Sequence, residues 1–239
     1  MTNWSNSFDI KSWAAWSPLL RTKEDWVAWA ANPFPPVGGE FPKIEAMQPI
    51  NRRRLKRLGS LALDPAYKMP ENPGPLIFCN KYGELDRCCA LLKELNETGA
   101  IPPQSFSLAV HNAIPSLYTI DKKINSNVIA ISSDSGILSA LIEAHGLFAS
   151  GESTVRIIVV EEEVPAPYER YTNFPNESYG FVVDVAPGSQ FRVGFSAEKK
   201  KSDSREPISI NLNVLRFILN RESEFSEVIN GVNWQLRRG

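Results

Sequence analysis

The chain has 239 residues and a formal net charge of −1, which argues against the basic excess that binding to nucleic acid or acidic membranes requires. This length fits one or two domains, and a single domain over residues 1–239 is the simpler interpretation. A domain of this size buries enough apolar surface to fold without disulfides or structural metals.

The cysteines, the N-terminal stretch and the apolar runs indicate the cellular compartment of the protein. Cys79, Cys88 and Cys89 form an odd set with no Cys-x-x-Cys spacing. The polar N-terminal stretch MTNWSNSFD lacks the features of a secretory signal, which predicts reduced thiols in a cytoplasmic protein. No apolar run reaches the roughly 18 residues that a membrane span needs. We therefore expect no metal, no cofactor and no membrane span.

Strand and helix patterns alternate along the first half of the chain, which is typical of a sheet covered by helices. Thr22 is the predicted N-cap of the first helix, and Glu24 and Asp25 lie in its first turn. The predicted elements are a strand over Phe8–Ser17, a helix over Thr22–Ala31, a loop over Asn32–Pro49, a helix over Asn51–Leu63 ended by Pro65, a strand over Leu76–Asn80, a helix over Leu85–Asn96, a break over Gly99–Pro103 and a helix over Ser107–Lys122 kinked at Pro115.

A sharp turn is predicted in the middle of the chain. Asn127 to Ser132 is a β-branched run that reads as a buried, central strand. From Ser135 to Phe148 apolar residues recur at helical spacing. The turn between them places Asp134 at the mouth of a helix, where free N–H groups and the helix dipole favour an anion.

Beyond this helix the pattern changes. Thr154–Glu161 is a nearly continuous apolar run and predicts a buried strand. Tyr179–Val185 and Gln190–Ser196 alternate around Pro187-Gly188 and predict a hairpin. A charged loop over Lys199–Pro207 and a helix around Leu212–Leu219 follow. We therefore divide the chain into an α/β core over residues 1–163 and a C-terminal hairpin and helix added over residues 164–239.

The central turn resembles the nucleophile elbow of β-ketoacyl synthases, where a β-rich run is followed by a cysteine, small residues and an apolar helix containing Ala-Leu. Counting back from Ala140-Leu141 places the family's cysteine on Asp134. The wider chain resembles the short β-ketoacyl synthase-like chain length factors of aryl polyene gene clusters. The matching segments are FDIKSWAAWSP (Phe8–Pro18), INRRRLKRLGSLAL (Ile50–Leu63), KYGELDR (Lys81–Arg87) and SFSLAVHNAIPSLYTI (Ser105–Ile120).

This resemblance implies a thiolase-like α/β fold reduced to roughly the N-terminal half of a ketosynthase. It also implies a non-catalytic chain length factor that forms a heterodimer with a catalytic ketosynthase and shapes the acyl tunnel while a polyene or polyketide grows on an acyl carrier protein. The ketosynthase would supply the cysteine and both histidines. Because the two sheets of such a dimer meet edge to edge, we expect an obligate heterodimer with a large apolar interface.

Asp134 is chemically unsuited to the family's reaction. A thiolate carries the growing chain as a thioester, whereas a carboxylate would give a far less stable mixed anhydride. The residue is therefore interpreted either as a helix N-cap or as part of a pseudo-active site that contacts a partner or substrate.

Other catalytic groups are sparse. The family's two histidines come from its C-terminal half, and this chain has only His111 and His145, which we interpret as packed or interface residues. Ser133 and Ser135 border the turn without a Gly-x-Ser-x-Gly motif. Two alternatives stay open: an independent, degenerate acyltransferase or hydrolase that uses one of these serines, and a homodimeric scaffold protein.

Two further groups of residues are candidates for binding. Val110, Ala113 and Leu117 share a face of the predicted helix, and the resemblance implies that they, with His111 and Asn112, line the tunnel end or the dimer interface; ordinary core is the alternative. The basic run around Arg52, Arg53 and Lys56 is either a solvated helix face or a patch that binds an acidic carrier protein.

Overall fold

A mixed eight-stranded sheet organises the computed structural model, which describes residues 3–172, 176–197 and 208–239. The strands are β1 (Asn3–Trp16), β2 (Leu76–Cys79), β3 (Val128–Ile131), β4 (Val155–Glu161), β5 (Tyr179–Pro187), β6 (Phe191–Ala197), β7 (Glu224–Ile229) and β8 (Val232–Arg238). Their order across the sheet is β3-β2-β4-β5-β1-β6-β8-β7. β2 runs parallel to both β3 and β4, and the other neighbouring pairs are antiparallel.

Helices cover both faces of this sheet. They are α1 (Lys23–Ala31), α2 (Pro49–Arg52), α3 (Arg57–Lys68), α4 (Leu85–Thr98), α5 (Pro103–Ser107), α6 (Ala113–Lys122), α7 (Ile137–Ala149), α8 (Ala166–Glu169) and α9 (Ile210–Leu219). One face packs against α1, α7 and α9, and the other packs against α3 and α6. Along β4 successive residues alternate between the two cores, so Ile157 and Val159 face α7 while Ile158 and Val160 face α3.

The first helix confirms the capping prediction. Thr22 Oγ1 accepts a hydrogen bond from the Asp25 backbone N–H at 3.1 Å, and the Asp25 carboxylate accepts one from the Thr22 N–H at 2.9 Å. This reciprocal pair is a capping box, and it satisfies two backbone donors at the helix start.

The predicted helix over Asn51–Leu63 is wrong at both ends. Its first residues form the short α2, and the long helix α3 begins at Arg57 and continues through Pro65 to Lys68. Proline has no N–H for the Leu61 carbonyl, and that carbonyl lies against Gly180 of β5, where a side chain's Cβ would come within 2.0 Å of it. The close approach of helix and strand at this carbonyl requires glycine at position 180.

The predicted helix over Ser107–Lys122 is also wrong, because α6 begins only at Ala113. Pro115 is the third residue of α6, where its missing N–H has no helical acceptor to lose, so it does not kink the helix.

The sheet order corrects three further predictions. β3 is an edge strand with half-buried and exposed residues, not a buried central one. β1 lies between β5 and β6, so these two strands do not form the predicted hairpin ladder. β5 is a fully integrated strand next to β4, so the residues after 163 complete the sheet and are not an addition to it.

Near the C-terminus a hairpin that the sequence prediction missed joins β7 to β8. Its turn is Asn230-Gly231, and both residues have positive φ, 50° and 78°. The charged loop predicted over Lys199–Pro207 lies outside the described residues.

Candidate functional site

The turn predicted to resemble a nucleophile elbow connects β3 to α7. The neighbouring parallel strands β2 and β4 end at the same edge of the sheet, so their carboxyl ends bring Asn80, Lys81 and Glu161 to this turn. Ser132 Oγ donates to the Lys81 carbonyl at 2.7 Å and fastens the turn to the end of β2.

Asp134 lies in the turn as predicted, but it is not the helix N-cap. The N-cap residue is Gly136, with φ 51°, and the Ile137 N–H donates to the Asn211 Oδ1 of α9 at 2.8 Å. A Cβ on Gly136 would come within 1.9 Å of that oxygen. The capping group therefore comes from a helix more than 70 residues away, and its close approach requires glycine.

The Asp134 carboxylate has two partners of its own. Its Oδ1 lies 2.7 Å from Lys81 Nζ, and its Oδ2 accepts a hydrogen bond of 2.6 Å from Asn230 Nδ2 in the β7–β8 turn. The hydrogen bond from Lys81, supported by that from Asn230 and by the Lys81 charge, lowers the pKa of Asp134 against the opposing effect of partial burial. Asp134 is thus an ionised, ion-paired carboxylate at neutral pH.

Neither of the nearby hydroxyl groups is activated as a nucleophile. Ser133 and Ser135 hydrogen-bond to each other at 3.0 Å and both to Ser139 at 2.8 Å. Within the described residues no histidine hydrogen-bonds to this group, whereas a serine nucleophile needs a base within hydrogen-bond reach.

A cysteine does lie beside the turn, but it is inert. Cys79 ends β2 opposite Ile131 and is buried. Burial, with a smaller contribution from the Glu161 charge, raises the pKa of its thiol well above the usual value. A thiol held in this state does not replace the thiolate of a condensing enzyme.

Neither histidine is a hydrogen-bonding partner of the Asp134 carboxylate among the described residues. His111 Nε2 is 3.3 Å from the Ile131 carbonyl, and its ring packs edge-on against Phe78 with centroids 6.2 Å apart. His145 is half-buried on α7, eight residues and thus about 12 Å along the axis beyond Ile137. No histidine pair is assembled at the turn in the part of the chain that the structure describes.

Three glutamates near the carboxyl ends of the strands have raised pKa values. Burial raises the pKa of Glu161 to about 8, despite the Lys81 backbone N–H that it accepts at 2.9 Å. Burial also raises the pKa of Glu162 to about 8 and that of Glu177 to about 7, where Ser209 hydrogen bonds oppose the shift. Glu161 and Glu162 are therefore mostly protonated at neutral pH, and Glu177 is about half protonated.

Glu177→Gln should make the protein's stability less dependent on pH. Between the ordinary pKa of 4.5 and about 7, folded Glu177 holds a proton that the unfolded chain has lost, so stability falls as pH rises through this window. We expect the loss in unfolding free energy between pH 5 and pH 8 to be smaller by about 2 kcal/mol in this variant. Urea denaturation at pH 5 and at pH 8 measures this difference in unfolding free energy. Exposed Glu40→Gln is the control, and an unchanged pH dependence in Glu177→Gln would contradict the assignment.

The structure separates the residues predicted to line a tunnel or interface. Val110 precedes α6 and is 45% exposed, whereas Ala113 and Leu117 are buried, and Leu117 belongs to the core between the sheet and α3. The three do not share a helix face, because the helix starts after Val110. His111 is half-buried and Asn112 is exposed.

The basic run is also divided between elements. Arg52 ends α2 and donates to the Ile44 carbonyl at 3.3 Å, whereas Arg53 and Lys56 are exposed in the connection to α3. The three residues therefore do not form one helix face. In the described ranges no cluster of His, Cys, Asp and Glu has the arrangement of a metal site, and no helix is long and apolar enough to cross a membrane.

Several residues of the turn's environment were absent from the sequence-based prediction. Lys81 lay in a segment that carried the family resemblance, but nothing local pointed to its pairing with Asp134. Asn211 and Asn230 come from the C-terminal helix and hairpin. Of these features only the turn at Asn230 could have been predicted from the sequence, since Asn-Gly favours a tight hairpin turn.

Comparison with solved structures identifies the fold. One chain of the ketosynthase ApeO in complex with its chain length factor ApeC from Xenorhabdus doucetiae matches with a TM-score of 0.86 and 22% identity, covering 97% of this chain and 99% of that one. The ishigamide ketosynthase/chain length factor matches with a TM-score of 0.66 and 16% identity, covering 81% and 68%. AntDE:AntF, a type II polyketide synthase acyl-carrier protein in complex with its ketosynthase, matches with a TM-score of 0.64 and 11% identity, covering 81% and 71%.

These likenesses confirm the predicted thiolase-like ketosynthase fold. A search of curated proteins returns no significant match. The family profile "Beta-ketoacyl synthase, N-terminal domain" matches residues 26–236, which is most of the sequence. The chain therefore belongs to the β-ketoacyl synthase N-terminal domain family.

Proposed function

We propose that this chain is a non-catalytic chain length factor that pairs with a catalytic ketosynthase and shapes the acyl tunnel during elongation on an acyl carrier protein. The observation that carries the proposal is the state of Asp134. It stands in the strand-to-helix turn as an ionised carboxylate held by Lys81 and Asn230. A carboxylate there cannot carry an acyl chain as a thioester, so the reactive sulfur has to come from a partner.

The relatives with this fold support pairing with a ketosynthase. Two of them are described as a ketosynthase with its chain length factor, and a third as an acyl-carrier protein with its ketosynthase. By analogy, we assign this chain to the subunit that lacks the nucleophile, in contact with a ketosynthase and, through the complex, with a carrier protein.

The exposed edge of the sheet offers a place for the partner. The Asn127 and Ile131 carbonyls accept hydrogen bonds from β2, so the intervening Val128 and Ala130 direct their backbone groups away from it. An edge strand with unpaired backbone groups is a template for pairing with another chain. We propose that the ketosynthase sheet joins this one along β3.

The interface would extend from β3 to the connection before α6. Val110 is exposed, and the adjacent His111 contacts the Ile131 carbonyl at the end of β3. We propose that Val110, His111 and Asn112 contact the ketosynthase or the end of the acyl tunnel, while Ala113 and Leu117 support them from the core. In this arrangement Val110 limits the product by occupying space, since an apolar wall resists overpacking.

The exposed basic residues form a smaller part of the proposal. We propose that Arg53 and Lys56 bind an acidic carrier protein, since both are exposed and, unlike Arg52, donate no side-chain hydrogen bond to the backbone of the described residues. A solvated surface is the simpler alternative for such residues.

Asp134→Ala should leave elongation unchanged in the heterodimer. We expect the rate and the product length to stay within about twofold of wild type, because the group is not on the reaction path and a half-exposed ion pair contributes about 1 kcal/mol or less. The measurement is an elongation assay on the purified complex, with Asp134→Asn as the isosteric control. Replacing the partner's nucleophilic cysteine should abolish activity.

Three results would contradict the proposal. The first is carbon–carbon bond formation by the isolated chain. The second is a loss of more than about tenfold in elongation rate when the Asp134 carboxylate is removed, which is far beyond the effect of a surface ion pair. The third is size-exclusion chromatography in which the chain pairs with itself and does not bind a co-expressed ketosynthase.

A further inference from the structure

A cavity of about 500 Å³ lies at the amino ends of the parallel strands, at the opposite end of β2, β3 and β4 from Asp134. Its walls are the connection over Met69–Pro73 before β2, Tyr118 and Lys122 of α6, and the connection over Lys123–Ser126 before β3. Arg156, the second residue of β4, contributes to the lining from the sheet. This volume is within the range of small-molecule binding sites.

One wall of the cavity is fixed in place before any ligand binds. The Pro70 carbonyl accepts a hydrogen bond from Arg156 Nη2 at 2.6 Å. Asn72 Nδ2 donates to Asp184 at 2.9 Å and to Thr154 at 3.2 Å. A preformed wall reduces the entropy lost on binding, which favours a defined site over a surface crevice.

The charges around the cavity favour an anion. The charge of buried Arg156 is balanced by its ion pair with Asp184, so the net positive charge of the cavity comes from Lys122 and Lys123, which are exposed at the rim. Glu71 is the only carboxylate among the described lining residues. The Asp184 carboxylate behind Arg156 already accepts hydrogen bonds from Arg156 Nε and Nη2, at 2.8 Å each.

Arg156 also retains hydrogen-bonding capacity. Four of its five N–H groups have acceptors: two on Asp184, one on the Pro70 carbonyl and one on the Tyr118 hydroxyl. The fifth, on Nη1, has no acceptor within the described residues.

Part of the remaining lining is apolar, beside the polar Asn72, Asn125 and Ser126. Met69, Pro70, Pro73 and Ile124 contribute aliphatic surface, and Lys122 is held near the cavity by its ammonium lying 4.7 Å from the centroid of the Tyr67 ring. We infer that the cavity bounded by Arg156, Lys122 and Lys123 binds a small organic anion, with a carboxylate at the basic residues and an aliphatic body against the apolar wall. This inference is independent of the proposed pairing with a ketosynthase.

Octanoate is the probe for this site. We expect saturable binding to the full-length chain, measured by isothermal titration calorimetry, with a dissociation constant on the order of 0.1–1 mM for about ten non-hydrogen atoms. Acetate and inorganic phosphate should bind at least about tenfold more weakly, because they lack the aliphatic body. Added salt should weaken octanoate binding, since the lysines are exposed to solvent.

Two variants locate the binding site. The double substitution Lys122→Ala and Lys123→Ala should weaken octanoate binding by about tenfold or more, and Asn125→Trp should block the cavity. The matched control removes two exposed lysines elsewhere, Lys11 and Lys93, and should leave binding unchanged. The inference is overturned if octanoate does not bind saturably, if the cavity and control variants bind it equally, or if phosphate binds as tightly as octanoate.

Discussion

Replacing Arg156 by methionine should lower the free energy of unfolding by about 3–5 kcal/mol, a large part of the stability of a typical domain. Arg156 and Asp184 are 4% and 5% exposed, and two hydrogen bonds of 2.8 Å join them. Without the guanidinium, the Asp184 carboxylate remains as a buried charge, and among the described residues only Asn72 and Ser12 then donate to it. Urea denaturation followed by circular dichroism measures the change.

The double variant Arg156→Met with Asp184→Leu shows how much of the lost stability comes from leaving a buried charge unpaired and how much from lost packing. It should be less destabilised than the sum of the two single variants, because neither partner is left charged in the core. Lys93→Met, which breaks an exposed pair with Glu97 at 4.0 Å, should change stability by less than about 0.5 kcal/mol. A loss below about 1 kcal/mol for Arg156→Met would contradict the role assigned to the pair.

The elements that could be predicted are those whose pattern is local. The apolar run of β4 and the capped start of α1 lie where the sequence placed them, since burial on both faces and side-chain capping leave direct signals. The family resemblance predicted the thiolase-like fold, which the structural matches confirm.

Features that depend on distant residues could not be predicted in the same way. Pro65 indicated the end of a helix, but α3 continues to Lys68, and the Leu61 carbonyl freed by the proline lies against Gly180, on a strand more than 100 residues later. The two strands predicted around Pro187-Gly188 are present as β5 and β6, but β1 lies between them. Sequence periodicity specifies which face of a strand is buried and not which strand is its neighbour.

The candidate site also has features that could be predicted from the sequence and features that could not. The turn and the position of Asp134 within it follow from a strand pattern meeting a helix pattern, and the structure has both. The cap expected from Asp134 is supplied instead by Asn211, and the carboxylate pairs with Lys81 and Asn230. The equivalence of Asp134 with the family's cysteine stays a prediction.

Ala130→Pro should weaken association with the ketosynthase by about 100-fold, or about 3 kcal/mol. Ala130 is an exposed residue of the edge strand β3, and its N–H points away from β2. Proline removes the donor that a partner strand would use and leaves the partner's carbonyl buried without a hydrogen bond. Because the ladder between β3 and β2 does not use this N–H, the fold should tolerate the change as edge strands do.

The control for this prediction is Ala130→Ser, which retains the backbone N–H and should pair like the wild type. Co-expression with the ketosynthase followed by size-exclusion chromatography separates the outcomes, and circular dichroism of the purified variant tests whether the fold is intact. A folded Ala130→Pro variant that co-elutes with the ketosynthase as well as the serine variant does would place the interface elsewhere. A variant that folds but elutes alone ties the assembly to the unpaired edge of β3, because the substitution changes one outward backbone group and leaves the neighbouring strand contacts in place.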